Sequence, residues 1–349
     1  MRAVAADVAQ GFRHRVADHA ASGALRDLLE HHRASYAPEP LSEGAVFGFS
    51  GALDLSIRMA RGAVPAIDLD GRALSLELDA CRHLGLEAQW HVTDDPRAGW
   101  ELLRTELAKG YPVLLRADIG ELDYHDGAAH DTRHAVVVTG CDVQAGVARV
   151  TDRYFADPQR CALTSLATAR ASRGWPEPAR HGLLHVRRPA RLATPKAAIN
   201  AALARVVANM RHPQLNGHPH VHGGLGALDM LVDVWPRLDD LAGTRLGQTL
   251  SALRYRIRDG GTGGALYRSL QARFEHEAAA LLSSLELGRA ALVCDELTDA
   301  WRALAAALDD DDPRRAHARS GPALARIHTL EHRHVEALEL QLHTKRAAA

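Results

Sequence analysis

The first half of the chain switches between two hydrophobic periods. Ala20, Ala21, Ala24, Leu25, Leu28 and Leu29 recur at the three- and four-residue spacing of a helix with one apolar face. Residues 112–117 and 135–139 are instead short aliphatic runs bounded by glycine and proline, which predicts buried strands. Gly140-Cys141-Asp142 passes through the turn-rich Val143-Gln144-Ala145-Gly146 into residues 147–152, a strand, turn and strand unit. Residues 100–108 read as a helix that begins after Asp95-Pro96.

The texture changes around residues 187–195, a basic stretch punctuated by proline, and strand signals nearly vanish beyond it. The domain boundary is therefore placed there, with domains at 1–188 and 189–349. Ile199, Ala202, Leu203, Val206, Val207 and Met210 form a helical stripe, and further helices are expected near 225–232, 267–287, 297–308 and 324–342. The second half reads as all-α. Residues 212–222 and the acidic run Asp309 to Asp312 look like loose connections, and there is no internal repeat.

A chain of 349 residues has ample apolar content for two cores. Its 42 basic and 43 acidic residues leave a formal charge of -1, which argues against nucleic acid or an anionic membrane as partner. The four cysteines, Cys81, Cys141, Cys161 and Cys294, lack the spacing of a zinc site or a disulfide framework and suit a reducing compartment. The start of the chain does not read as a signal peptide, and no run reaches the roughly 20 apolar residues of a spanning helix. A cytoplasmic protein is the expectation, with homo-oligomerisation left open.

One pair of residues carries candidate chemistry. His134 immediately precedes one strand run and Asp152 immediately follows its partner, so the two side chains can meet across adjacent strands. The carboxylate would accept from one imidazole nitrogen, fix the tautomer and leave the other nitrogen to take a proton from a nucleophile. A cysteine at the start of a helix packed on this unit would have its thiolate favoured by the helix N-terminus and the imidazolium. Position 20 starts such a helix, and it is alanine.

Residues 18–29 resemble the opening motif of the butirosin-type acyltransferases, the BtrH family, and Ala20 stands where that family has its cysteine. Residues 41–51, 70–72, 84–86, 110–118 with Leu122-Asp123-Tyr124, and 134–142 follow in the family's order, covering the whole first half. Residues 224–228 and 263–268 leading to Arg273-Phe274 resemble the helical domain that usually follows. The resemblance implies an α+β fold: a papain-like domain, helix packed on antiparallel sheet, followed by an all-α domain for substrate or carrier. It implies acyl transfer in specialised metabolism, from an acyl carrier protein thioester through the cysteine to a small amine, whether aminosugar, polyamine or amino-acid derivative, without a cofactor. His134 would be the base, Asp152 its orienter and Ala20 the lost nucleophile. The backbone amide of residue 20 and His14 would serve the oxyanion, with His19 in support. With a methyl at position 20 the chain is expected to be nearly inert. Retention of His134 and Asp152 favours an engineered cysteine-to-alanine change over natural decay. The other readings are an inactive papain-like protein that binds a peptide or carrier-bound chain, and a cysteine peptidase.

Other candidates are weaker. Asp118, Asp123 and Tyr124 could bind a cationic amine, and Tyr267 and Phe274, seven apart on one expected helix, could close an acyl tunnel or simply fill a core. His125, His130 and His134, and separately His218, His220 and His222, cluster without a standard metal spacing, so no metal is expected; His125 or His130 could line the acceptor entrance. Arg187, Arg188 and Arg191 could meet an acidic carrier protein. Cys141 lies seven residues from His134, roughly 23 Å along an extended chain, and is not a substitute nucleophile.

Overall fold

The computed structural model describes residues 11–174, 177–187, 191–213 and 220–344; Arg188, His218 and the 188/189 boundary lie outside them. The opening helix, α1 (Ala20–His31), starts after His19, whose backbone is extended and whose ring Nδ1 accepts the Ser22 amide. That satisfies one of the N–H groups a helix start leaves unpaired. Helix α2 (Glu43–Ser50) follows, then a hairpin of β1 (Leu53–Met59) and β2 (Ile67–Arg72), and α3 (Leu76–Leu84). Next come β3 (Glu87–His91) and α4 (Pro96–Ala108), the latter capped by Asp95 with Pro96 in its first turn.

The predicted strand unit is β4 (Val113–Ala117), β5 (His134–Asp142) and β6 (Val147–Thr151), followed by β7 (Gln159–Ala162), α5 (Leu163–Ala171) and β8 (Leu183–Arg187). These strands form one antiparallel sheet in the order β3-β8-β4-β5-β6-β7. Eight of the nine β5 residues are buried, because α1 packs against β5 and β4 while Leu103 and Leu107 of α4 and Leu166 and Ala169 of α5 share a core with Leu115, Val136 and Val138. A strand covered in this way reads as a continuous apolar run.

Beyond residue 192 the described residues are mainly helical: α6 (Pro195–Arg211), the short β9 (Val221–Gly223), α7 (Gly224–Val234), α8 (Leu238–Ala242), α9 (Leu246–Arg254), α10 (Arg268–Leu282), α11 (Leu285–Ala307) and α12 (Pro313–Thr344). The expected helix over 267–287 ends sooner, since Ser283 takes a positive φ of 48° and Ser284 caps the next helix. The acidic run is an anchored cap. Asp310 binds Arg315 and Arg319, and Asp312 accepts the Arg314 amide at the start of α12.

The fold class is thus α+β followed by helices. The compact units, however, differ from a single cut at residue 188: the first comprises residues 1–46 with 85–192, the second 47–84 with 193–349. Leu53, Leu55 and Ile57 alternate inward on β1, and that strand pairs with β2 on one side and β9 on the other. Helix α3 packs on α6. The hairpin's apolar face therefore finds its partners in the helical half. Among the described residues no helix is long and apolar enough to cross a membrane.

Candidate active site

His134 opens β5 and Asp152 directly follows β6, so the antiparallel pairing of Val137 with Thr151 sets both side chains at one end of the sheet. His134 Nε2 lies 2.7 Å from Asp152 Oδ2. The same oxygen accepts from His125 Nε2 at 3.0 Å and from the Tyr124 hydroxyl at 3.1 Å. Burial works against the Asp152 carboxylate, but His134 and His125 outweigh it and hold its pKa well below the usual range. With Nε2 committed to the carboxylate, His134 keeps Nδ1 for proton exchange. Tyr154, half exposed, stacks beside the His134 ring with centroids 6.2 Å apart.

The N-terminal end of α1 is tied to this corner. The Ala17 amide donates to the Arg153 carbonyl at 3.1 Å, and Arg153 Nη1 donates to the Asp18 carbonyl at 2.5 Å. At the other end of the helix, the His32 ring meets Tyr111 just before β4, so α1 runs antiparallel to β4. Since Ala117 of β4 pairs with His134, residue 20 is at the end of the sheet that carries His134 and Asp152. Ala20 itself is 8% exposed. Glu43 fixes the helix entry by accepting from the amides of His19 (2.8 Å) and Asp18 (3.0 Å) and from the Ser22 hydroxyl (3.1 Å).

His14 occupies a different place from the oxyanion role expected of it. Its Nδ1 meets Asp27 Oδ2 at 2.7 Å, and its Nε2 donates to the carbonyls of Phe155 (2.9 Å) and Asp152 (3.1 Å). Both nitrogens are committed, so no donor is left for an oxyanion. Burial disfavours the charge, yet Asp27 and the two carbonyls raise the pKa above 6.5. His14 thus clips the segment before α1 to Asp27 and to the carbonyls of Asp152 and Phe155. His19 is the helix cap.

Asp118 is likewise redirected. It is 1% exposed, with one oxygen taken by Ser172 Oγ (2.7 Å) and His130 (3.1 Å), the other by the amides of Gly120 and Asp131. A carboxylate spent on four neighbours staples its loop and has little left for an incoming amine. Asp123 is exposed but accepts the Ala162 amide at 3.0 Å. Tyr124 alone of this acidic-aromatic group reaches Asp152. Tyr267 is not helical: it caps α10 with φ 71° and stacks on Phe47 at 5.4 Å. Phe274 is 1% exposed against Phe49, in space that Gly48 leaves open for lack of a Cβ. Both pack inside the second unit.

All four cysteines are buried and free. Burial pushes Cys81 and Cys161 up to about 12 and Cys141 up to about 11, while Cys294 rises well above its ordinary value. None substitutes for a thiolate at position 20. His125, His134 and Asp152 place donor atoms within 4.8 Å of one another and could also hold a metal. A cavity of about 440 Å³ in this unit, lined by Leu28, His32, Tyr111 and Val186, lies at the C-terminal end of α1, away from Asp152.

The partners of Asp152 were only half visible in the sequence. His125 belongs to a histidine-rich loop whose other member, His130, lies beyond a turn that includes Gly127 (φ 65°) and goes to Asp118 instead. Glu43 was visible as part of a motif but without a role.

Residues 19–153 match the family model described as butirosin biosynthesis protein H, N-terminal. Residues 164–338 match the family model described as a domain of unknown function, DUF4872. A search of curated proteins finds no match.

Proposed function

By residues 19–153 this chain carries the N-terminal domain of butirosin biosynthesis protein H, and from that match and the site geometry we propose a biosynthetic acyltransferase scaffold. Its donor is an acyl carrier protein thioester and its acceptor a small amine, an aminosugar, polyamine or amino-acid derivative. With cysteine at position 20, the thiolate attacks the thioester carbonyl, the tetrahedral oxyanion collapses, and the carrier thiol leaves with the proton held by His134. The amine then attacks the acyl-enzyme, His134 takes its proton, and the cysteine sulfur is released. Asp152 keeps the imidazole in the required tautomer throughout.

The observation that carries this reading is the 2.7 Å contact of His134 Nε2 with Asp152, at the end of the sheet where α1 begins. With Ala20 in place no thioester forms, so the chain as it stands is expected to bind donor without turning it over. The intact network around Asp152, the His14 clip and the Glu43 anchor support replacement of a cysteine in a maintained site. Ala20 itself supports the second reading, a protein that binds a carrier-bound chain without catalysis.

Ala20→Cys protein incubated with acyl carrier protein is expected to gain one acyl mass by intact mass spectrometry and to lose it on addition of amine. Tight carrier binding without acylation would favour the binding protein, and cleavage of peptides a peptidase.

A further inference from the structure

Four clusters among the described residues bring three His, Cys, Asp or Glu donor atoms within 4.8 Å of one another. His125, His134 and Asp152 belong to the site above. In the Asp118, Glu121 and His130 set, the Asp118 oxygens are already taken by a hydroxyl and two amides. Glu275, Cys294 and His334 are wholly enclosed, and the Arg268 guanidinium acting on them opposes a further cation. The fourth set, Asp229, His328 and His332, is open to solvent.

His328 and His332 are four residues apart on α12, so their rings leave the helix on one face, with centroids 4.7 Å apart. Asp229 comes from α7. Its Oδ1 lies 2.7 Å from His328 Nε2 and 3.0 Å from His332 Nε2, so both imidazoles aim the same nitrogen at one oxygen. The side chains are 34%, 31% and 52% exposed for His328, His332 and Asp229, enough for a hydrated ion to arrive without the helices separating.

We propose that Asp229, His328 and His332 form a divalent transition-metal site of the zinc class. Each imidazole binds through Nε2 as the neutral ring with its proton on Nδ1, Asp229 binds through one oxygen, and solvent completes the shell. As the ion enters, the proton that each neutral ring directs from Nε2 at Asp229 is exchanged through solvent for one on Nδ1, so the ring stays neutral. Metal–ligand bonds near 2.0–2.2 Å require donor atoms roughly 3.3 Å apart, an adjustment within the rotamer freedom of half-exposed side chains. Two imidazoles and one carboxylate favour zinc, copper or nickel over magnesium or calcium. The bound ion ties α7 to α12 across 99 residues of chain and stabilises the second unit independently of acyl chemistry.

The test is calorimetric titration of the full chain with zinc chloride near neutral pH, beside the double variant His328→Gln, His332→Gln. One more saturable zinc is expected for the unsubstituted protein than for the variant, with magnesium and calcium silent. Zinc at about a hundredfold over its dissociation constant should raise the unfolding temperature by several degrees, and only in the unsubstituted protein. An unchanged far-ultraviolet circular dichroism spectrum without metal shows the variant folded; should it not fold, Asp229→Asn takes its place. Equal zinc binding by unsubstituted protein and variant, or no saturable binding at all, would overturn the proposal and leave a hydrogen-bonded helix clamp.

Discussion

Asp152 in the first unit and Glu331 in the second are both buried carboxylates that gather nitrogen donors, yet they are built for different ends. One oxygen of Asp152 collects His134, His125 and the Tyr124 hydroxyl, and the half-exposed Tyr154 stands beside His134. Glu331 accepts from Arg268 Nε at 2.8 Å and Trp301 Nε1 at 2.9 Å, and all three side chains are sealed. His334 donates to Glu275 at 2.8 Å in the same interior. Among the described residues, the second oxygens of Glu331 and Glu275 and His334 Nδ1 have no protein partner. The difference lies in access. The first network lies beneath the half-exposed Tyr154 and leaves His134 Nδ1 for the proton exchange proposed above, whereas the second joins α10, α11 and α12 in a sealed interior.

The comparison breaks most visibly if each carboxylate is neutralised. Glu331→Gln strands Arg268 in the interior and should cost about 3–5 kcal/mol, read from the urea midpoint. Asp152→Asn in the Ala20→Cys background should leave the fold in place and reduce acyl transfer on the order of 10⁴-fold, because the imidazole loses its enforced tautomer. Reversed outcomes, a stable Glu331→Gln protein and an unfolded Asp152→Asn protein, would mean the two networks had been assigned the wrong way round.

Acidity sharpens the contrast with a smaller effect. Burial is the largest influence on His334 and disfavours its charge, but Glu275 and then Glu331 together raise its pKa above 6.5. Its stabilisation is full below pH 6.5 and lost as pH rises through the folded value. Asp152, depressed in the folded state, contributes above its unfolded value of about 3.9 and loses this as pH falls. His14 shares the sign of His334. His31, His83 and His181, lowered by burial, act in the opposite sense, so the test is a difference: between pH 6 and 8 the His334→Gln protein should lose less stability, or gain more, than the unsubstituted protein. A slope unchanged by that substitution would place the titration elsewhere.

What the sequence revealed follows the reach of each interaction. Helix α1 and the β5-turn-β6 unit were legible because period and turn residues are local signals, and His134 and Asp152 flank that unit. The placement of residues 47–84 was not, since β1 finds β9 more than 150 residues away. The early start of α12 was hidden by Pro322 inside it and by an acidic run that reads as a loop until Arg315 and Arg319 fold back on Asp310. Asp118 looked like a surface carboxylate because nothing nearby in sequence announces Ser172 as its partner.

The central claim is that residue 20 faces His134, and the pH dependence of iodoacetamide alkylation of Ala20→Cys tests it most directly. The four native thiols are buried and raised in pKa, so the background is low. The new thiol should titrate well below the ordinary value of about 8.5 and return to it when His134→Gln is added. A thiol that titrates at or above about 8.5 whether or not His134 is present would contradict the account.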